Sequence, residues 1–590
     1  MPCNPLAQQY RTVLAAGLAL ALAAPMLGSV SPAPSPRPST GGPYADVVVS
    51  GLPGSYAAVE RAVVAAGGTV RDHLRIINGV AARVPAAAEQ ALRHAPGVRA
   101  VTSDSSGHLM SVDPSLGYDV SNDAGSLYDI AQVTHAQDAW SHGWTGKGID
   151  VALIDSGVSP VPGLTSGNVI DGPDLSFESQ DPSLTHLDTF GHGTHMASII
   201  VGRDKASTGS NYASASSHQY YGIAPDSRLV SVKVASNDGA ADVSQVIAAI
   251  DWVTEHAHAG GLNIRVLNLS YGTDSTQDPS VDPLCYAVEM AWRAGIVVVV
   301  SSGNDGTARQ SLADPAIDPL VLAVGADDTQ ASDSISDDQV PTFAQRGTSK
   351  RHVDLIVPGV HVLGLRDPGS RIDLENPSAV VSKRFFRGSG TSQSAAVASG
   401  LAALYLSRYP TATPDQVKRA LMTNSTQPSS VKPLFSGVGV PDVNKAIGTR
   451  LPSYAQLATN ATGTGSLEAA RGSAHVSDGT TTLTGEQDIF GNAWDGASWA
   501  ALSANGYAWT GGDWNGSTWT GSDWTAGGWT GHTWTGHTWT GHTWTGVSWA
   551  GHTWTGHTWT GSGWDGHTWT NSGWAGATWQ GSTWADASWS

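Results

Sequence analysis

At 590 residues the chain exceeds what a single hydrophobic core supports, so several domains are expected. Thirty-one basic residues stand against 50 acidic ones, a formal charge of −19, which argues against a nucleic-acid partner because no basic surface can neutralise phosphates. With only two cysteines, a framework of internal disulfides is excluded.

Residues 1–33 combine a basic start, marked by Arg11, with an apolar Ala/Leu run from Val13 to Gly28 and a Ser/Pro/Ala stretch. This is the pattern of a secretory signal, and the run is short for a membrane span. No later run reaches the roughly 20 apolar residues that a membrane span needs, so none is expected in the mature chain. Cys3 falls in the signal, which leaves Cys285 as the single thiol, read as a small buried side chain rather than a nucleophile. Residues 34–43 read as an extended Pro/Ser linker.

Residues 44–104 predict a small α+β unit. Asp46–Val49 reads as a strand and Tyr56–Ala66 as a helix with Val59 and Val63 on one face, stopped by Gly67-Gly68. Thr69–Ile77 and Val80–Val84 read as strands paired around Asn78-Gly79, Ala86–Arg93 as a second helix and Val98–Thr102 as a last strand. The order β-α-β-β-α-β is the ferredoxin-like split βαβ pattern.

From 127 to 447, short β-branched runs alternate with helical stretches. Strands are expected at Ile149–Ile154, Arg228–Val234, Val266–Leu269, Ile296–Ser301, Val321–Val324 and Leu355–Ile356. Helices are expected at Thr194–Val201, Val243–Ala257, Pro283–Arg293 and Ser394–Ser407. Apolar runs without clean alternation predict a mostly parallel central sheet flanked by helices, an α/β domain.

After Gly448 the pattern fades into a Ser/Thr/Gly/Ala linker. From Trp494 to Trp589 a tryptophan recurs every fifth residue, Ala504 being the one empty slot, and 19 of the 23 tryptophans lie here. A period of five matches neither helix nor strand. A turn at each glycine would coil the chain into a solenoid, each unit forming one side. A low-complexity tail is the competing reading. Flat indoles on a repeating scaffold also suit contact with sugar rings or cell-envelope polymers.

Three separated segments carry the chemistry: Val151-Ala152-Leu153-Ile154-Asp155-Ser156-Gly157, Gly191-His192-Gly193-Thr194-His195 and Gly390-Thr391-Ser392. An acid, an imidazole and a hydroxyl supply an orienter, a base and a nucleophile, the set needed for covalent acyl transfer. Asp155 follows a strand, where open α/β sheets place their crevices. Ser392 opens an Ala-rich helix, whose unpaired N–H groups favour a developing oxyanion. Asn304, in Ser302-Gly303-Asn304-Asp305-Gly306, can aim its amide at the same charge. Each segment alone is more often a plain turn; their conjunction is what points to peptide hydrolysis.

On these residues, together with Asn268-Leu269-Ser270-Tyr271-Gly272, Gly222-Ile223-Ala224-Pro225 and Ala323-Val324-Gly325-Ala326, the chain resembles subtilisin-type serine proteases, the subtilase family. The resemblance covers about residues 44–447. It implies a subtilisin-like fold and a serine endopeptidase. Asp155 is the implied orienter, His192 the base and then acid, Ser392 the nucleophile and Asn304 the oxyanion donor. It further implies that Ser270, Tyr271 and Gly272 pair with an extended substrate and wall one side of the specificity pocket, with Ser301, Ser302 and Gly303 on the other. His195 is expected to be a packing residue. Two positions depart from the family: Gln393-Ser394 replaces Met-Ala after the serine, and Ala396 replaces a proline. A longer loop, Lys205–Gln219, is also expected.

The expected organisation is a signal at 1–33, a linker at 34–43, an inhibitory prodomain at 44–110, a subtilisin-like peptidase domain at 111–448, a linker at 449–489 and the tryptophan repeats at 490–590. The resemblance implies self-cleavage after Leu109 or Met110. The partners expected are protein or peptide substrates, the prodomain as intramolecular inhibitor, and cell-envelope or polysaccharide contact through the repeats. The protein is expected to be secreted and associated with the cell surface. Catalysis is expected to need no cofactor. Structural calcium is left open because no ligands match residue by residue, and the metal site is unknown. Two rivals differ in class. An α/β-hydrolase esterase would carry Gly-x-Ser-x-Gly and the order Ser, Asp, His, which this chain lacks. A surface adhesin on a dead protease scaffold would not need all four catalytic-type residues.

Overall fold

Alternation of buried valines with solvent-facing residues builds the first sheet. The computed structural model describes residues 44–103, 123–207, 212–214, 219–307, 309–457, 460–477, 482–519, 533–535 and 553–554. The expected signal, the Pro/Ser linker, the cleavage segment around Leu109 and most of the tryptophan array lie outside the described residues. The chain divides into two units, 1–109 and 110–590.

In the first unit β1 (Tyr44–Gly51), α1 (Tyr56–Ala65), β2 (Thr69–Leu74), β3 (Gly79–Pro85), α2 (Glu89–Arg93) and β4 (Val98–Ser103) follow the expected order. The strands run β2-β3-β1-β4, each pair antiparallel. Val47, Val49, Val59, Val63, Val80, Val84, Leu92 and Val101 form its buried core. The β2–β3 turn passes through Asn78 at φ 47°, but β2 ends at Leu74 because a 3₁₀ turn, Arg75–Ile77, takes the last residues expected to be extended.

The second unit begins with α3 (Leu127–Val133) and α4 (Ala136–Ser141), then β5 (Asp150–Asp155), β6 (Val169–Asp174), α5 (His192–Val201), β7 (Arg228–Lys233), α6 (Val243–His256), β8 (Ile264–Leu269), α7 (Pro283–Arg293) and β9 (Val297–Ser301). It continues through β10 (Leu322–Asp327), β11 (Leu355–Pro358), β12 (Val362–Leu365), α8 (Arg371–Glu375), β13 (Phe385–Gly388) and α9 (Thr391–Arg408). Seven strands form one sheet, β11-β10-β9-β8-β5-β7-β6, every neighbouring pair parallel. Val297–Ser301 is buried throughout, as a sheet covered on both faces requires. β6 was not expected: Asp171, Gly172 and Pro173 disguise it, and proline confines it to the sheet edge, where it lies. Because β9, β8 and β5 are adjacent and parallel, the segments after their carboxyl ends emerge at one rim.

Residues 460–477 and 482–519, spanning part of the expected linker and the first repeat units, are folded against α6 and α7. Arg471, on the helix Leu467–Arg471, is wholly buried, its Nε 2.6 Å from Oδ2 of Asp242, the residue that caps α6. Burial raises the Asp242 carboxyl, but Arg471 outweighs it and holds the pKa below the usual range. Further on, the indole N–H groups of Trp499 and Trp514 donate to Oδ2 of Asp251 at 2.8 and 2.9 Å, and Ser503 Oγ donates to Oδ1 at 2.7 Å. Trp509 donates to the Ala248 carbonyl on the same helix at 2.8 Å. Farther along the array, Thr533–Thr535 pairs antiparallel with His475–Ser477, and Thr533 and Trp534 pair in parallel with Thr553 and Trp554. Trp534 thus lies opposite Trp554, twenty residues or four five-residue units away.

Candidate active site

Asp155 ends β5 and His192 opens α5, both buried. The imidazole Nδ1 lies 2.8 Å from Oδ1 and 3.0 Å from Oδ2 of Asp155. An N–H at Nδ1 donates to the carboxylate and leaves Nε2 as the basic nitrogen. The turn into α5 is held by Asp188, four residues before His192. Its Oδ1 accepts Gly191 N–H at 2.6 Å and Ser156 Oγ–H at 2.8 Å, and its Oδ2 accepts Thr194 N–H at 2.7 Å. Ser156 also donates its backbone N–H to Asp155 Oδ1 at 2.8 Å, and its Oγ accepts Gly193 N–H at 2.9 Å. A side chain at position 193 would run into the Gly157 carbonyl, its Cβ only 2.2 Å away, so backbone must pass here bare.

Burial pushes the Asp188 carboxyl up, partly offset by its N–H donors, and the Asp155 charge adds to the rise. Beside it, Asp367 accepts from Ser159 Oγ at 2.8 Å and Thr194 Oγ at 3.4 Å. Burial and then Asp188 push its pKa up to about 8. His195, one turn along α5, is a packing residue as expected: its Nε2 faces the Phe386 carbonyl at 3.2 Å, and burial drives its pKa down to about 3.

Ser392 sits in the first turn of α9, which packs on α5 and on β8. Asn304 follows β9, and its Oδ1 accepts both Thr391 N–H and Thr391 Oγ–H at 2.9 Å. With its oxygen so committed, the Nδ2 end is presented towards Gly390, 3.4 Å from where a Cβ would stand. Ser270 Oγ donates to the Ser392 carbonyl at 3.3 Å and accepts from Asn268 Nδ2 at 3.0 Å, while Ser399 on α9 donates to Asn268 Oδ1 at 2.9 Å. Asn268 therefore ties the β8 segment to the nucleophile helix.

Ser270, Tyr271 and Gly272 follow β8, and Ser302 and Gly303 follow Ser301, the last residue of the neighbouring strand β9. Ala313 and Asp314 are bonded to the second segment and to Thr273, just after the first. Ala313 N–H donates to the Ser302 carbonyl at 2.9 Å, and Asp314 exchanges backbone bonds with Thr273 at 2.9 and 3.0 Å. A methyl on Gly272 would meet the Ala313 side chain at 2.7 Å, and one on Gly303 would meet the Gln345 amide first and Ala313 at 3.1 Å, so Ala313, which sequence reasoning missed, packs against both segments. Gly303 has φ 103°, a left-handed conformation natural to glycine. Asp188, Ser156, Thr391 and Asn268 were likewise not singled out for a role. The available signal was their place inside or just before the quoted motifs.

Among the described residues one cluster has metal-ligating side chains, Asp282, Cys285 and Asp314, all buried with ligand atoms within 4.8 Å of one another. Its groups already serve one another. Asp282 caps α7 by accepting Leu284 and Cys285 N–H, and the Cys285 thiol donates to Asp314 at 3.2 Å. Burial and the surrounding carboxylates raise the thiol pKa well above the usual range, so it is no nucleophile. Among the described residues no helix is long and apolar enough to cross a membrane.

This sheet, with a buried acid–imidazole pair at its rim and a serine opening the adjoining helix, defines a serine-type endopeptidase scaffold. The family model described as "Subtilase family" matches residues 146–469, and one described as "Putative peptidase inhibitor domain" matches residues 31–104. The chain belongs to the subtilase family. It is 35% identical to serine protease AprX of Bacillus subtilis over 331 residues, which cover 55% of this chain and 72% of that protein. It is 31% identical to the alkaline protease of Alkalihalobacillus alcalophilus over 347 residues, covering 58% and 76%. Among solved structures it is similar to fervidolysin from Fervidobacterium pennivorans (TM-score 0.45, 22% identity, covering 70% of this chain and 62% of that one).

Proposed function

We propose that the chain is a secreted endopeptidase, made as a zymogen, that cleaves peptide bonds through Asp155, His192 and Ser392. The observation that carries this reading is the double contact of His192 Nδ1 with Asp155, on a helix packed against the one that Ser392 opens. In the proposed cycle Ser392 Oγ bonds to the scissile carbonyl carbon while its proton passes to His192 Nε2. The carbonyl π pair moves onto oxygen, where Asn304 Nδ2 and the Ser392 N–H donate to it. When that pair returns, the C–N bond breaks and His192 hands its proton to the departing amine. Water then repeats the sequence on the acyl-enzyme. These steps call on no cofactor.

An extended substrate lies along Ser270–Gly272, and its side chain enters between that segment and Ser301–Gly303, over Ala313. Gly and Ala at this place suit an apolar side chain. Residues 44–110 act as the inhibitory prodomain, a reading supported by the inhibitor-domain match, and are released by cleavage after Leu109 or Met110. The tryptophan repeats hold the enzyme at polysaccharide of the cell envelope.

The test is casein hydrolysis by the wild type and by Ser392→Ala after propeptide removal. The reading expects activity in the first alone. Equal activity in both removes Ser392 from the mechanism, and none in either favours a binding protein on a silent scaffold. Sequencing the amino terminus of the secreted protein tests the processing step, and a start beyond Tyr128 would overturn it.

A further inference from the structure

The residue directly after the proposed nucleophile is a glutamine, Gln393, and it is completely buried. Neither its Oε1 nor its Nε2 has a hydrogen-bond partner among the described residues. Leaving a carboxamide dry and unpaired is costly, and Leu or Met would fill the same volume without that cost. Buried polar groups with no partner in the resting protein are therefore candidates for pairing with a ligand.

Its position says which ligand. A Cβ on Gly390 would stand 2.7 Å from the Gln393 Oε1, 3.4 Å from the Asn304 Nδ2 and 3.8 Å from the Ser392 amide nitrogen. Gly390 has no side chain, and these three groups border the place where its Cβ would stand. Asn304 is fixed in orientation because Thr391 holds its oxygen. The Ser392 N–H belongs to the first turn of α9, whose N–H groups the helix itself does not use. The Gln393 amide has nothing holding its orientation. A half-turn exchanges its oxygen and nitrogen at almost no steric cost and turns Nε2 towards the same space.

We propose that Gln393 is a catalytic residue, donating from Nε2 to the scissile carbonyl oxygen as it gains charge, alongside Asn304 Nδ2 and the Ser392 N–H. This rests on the assignment of Ser392 and Asn304 made above. No proton leaves Gln393. It supplies a hydrogen bond that strengthens as the π pair moves onto oxygen and weakens as the pair returns.

The test compares wild type, Gln393→Leu, Gln393→Met, Gln393→Glu and Asn304→Leu, each as the full chain matured in trans by tagged wild-type enzyme that is then removed. kcat and KM are measured on a chromogenic peptide, together with affinity for a peptide aldehyde, whose hemiacetal places an oxyanion in the same space. The proposal expects Gln393→Leu and Gln393→Met to lose about 10–100-fold in kcat, with KM within about two-fold. Aldehyde affinity should fall in parallel. Gln393→Glu should lose more at alkaline pH and recover as its carboxyl is protonated. A Gln393→Leu or Gln393→Met enzyme within about two-fold of wild type in kcat and aldehyde affinity overturns the proposal. So does a loss in which KM rises with lowered thermal stability while aldehyde affinity holds. If Asn304→Leu loses kcat in either case, only the role of Gln393 fails; if Asn304→Leu and Ser392→Ala both keep wild-type activity, the active-site reading itself has failed.

Discussion

Asp251 is the acceptor that fastens the first tryptophan units to helix α6, and its replacement by alanine should loosen that face of the protein. The substitution leaves two buried indole N–H groups and a serine hydroxyl with no acceptor. Each unsatisfied buried donor costs roughly 1–3 kcal/mol, and the hydroxyl can rotate elsewhere, so the two indoles put the loss near 4 kcal/mol. At about 2–4 °C per kcal/mol for a domain of this size, the melting temperature should fall by about 8–16 °C. Asp251→Asn behaves differently. It keeps an oxygen for the indoles and removes a charge whose burial has pushed the carboxyl up to about 6. The folded pKa is raised above the unfolded value, so this group's stabilising share is fully present below about pH 4 and is lost as pH rises through about 6. Asp251→Asn should therefore melt close to wild type at pH 7, and wild type should gain on it as pH falls towards 4. Calorimetry in a Ser392→Ala background, which suppresses self-digestion, measures all three. An Asp251→Ala protein melting within about 2 °C of wild type, or Asp251→Asn falling as far as alanine, refutes the reasoning.

Other expectations follow from the same contacts. Asn304→Leu should lower kcat about 10²–10³-fold with little change in KM, read in steady-state kinetics on a peptide amide. Lys418 is buried with its Nζ 2.8–3.3 Å from the carbonyls of Pro319, Leu320 and Val321 and 3.1 Å from Asp354; Lys418→Ala removes that donor and leaves Asp354 paired with Arg351 alone, 3.1 Å away, and should cost about 1–3 kcal/mol in denaturant unfolding. Asp367 holds its proton to about pH 8 through burial and the nearby Asp188, so its folded pKa is raised and its contribution fades as pH climbs from about 4 through 8. Asp367→Asn should accordingly gain thermal stability relative to wild type between pH 6 and 9, and a constant difference across that range counts against the pairing.

Much of the candidate site was legible because its chemistry is local. Asp155, His192, Asn304 and Ser392 each sit within two residues of a glycine, at or just past the end of a strand or at the start of a helix, and such junctions can be read from a few residues. The helpers were harder. Asp188 also binds Ser156, 32 residues earlier, and Asn268 binds Ser399, 131 residues later, and nothing local announces those two partners. Ala313 is an ordinary alanine until two glycine-bearing segments are folded onto it. The C-terminal region misled for a different reason. Its Ser/Thr/Gly composition resembles a linker, and Asp251 sits in mid-helix, where an acid normally faces water. The five-residue period also hid the helix Gly496–Ala504. Five residues turn a helix by about 140° past full circle, so successive units cannot share a face. Trp499 points inward and is buried, while position 504 faces solvent, which accounts for alanine in the array's one empty slot.

The central claim is that His192, oriented by Asp155, activates the hydroxyl of Ser392. A sulfonyl fluoride reacts with a serine activated in this way, and peptide mapping by mass locates the adduct. The matured wild type should carry one adduct, on the peptide containing Ser392, and His192→Ala should carry almost none. An adduct on a different serine, or equal labelling of Ser392 without the imidazole, would contradict the account.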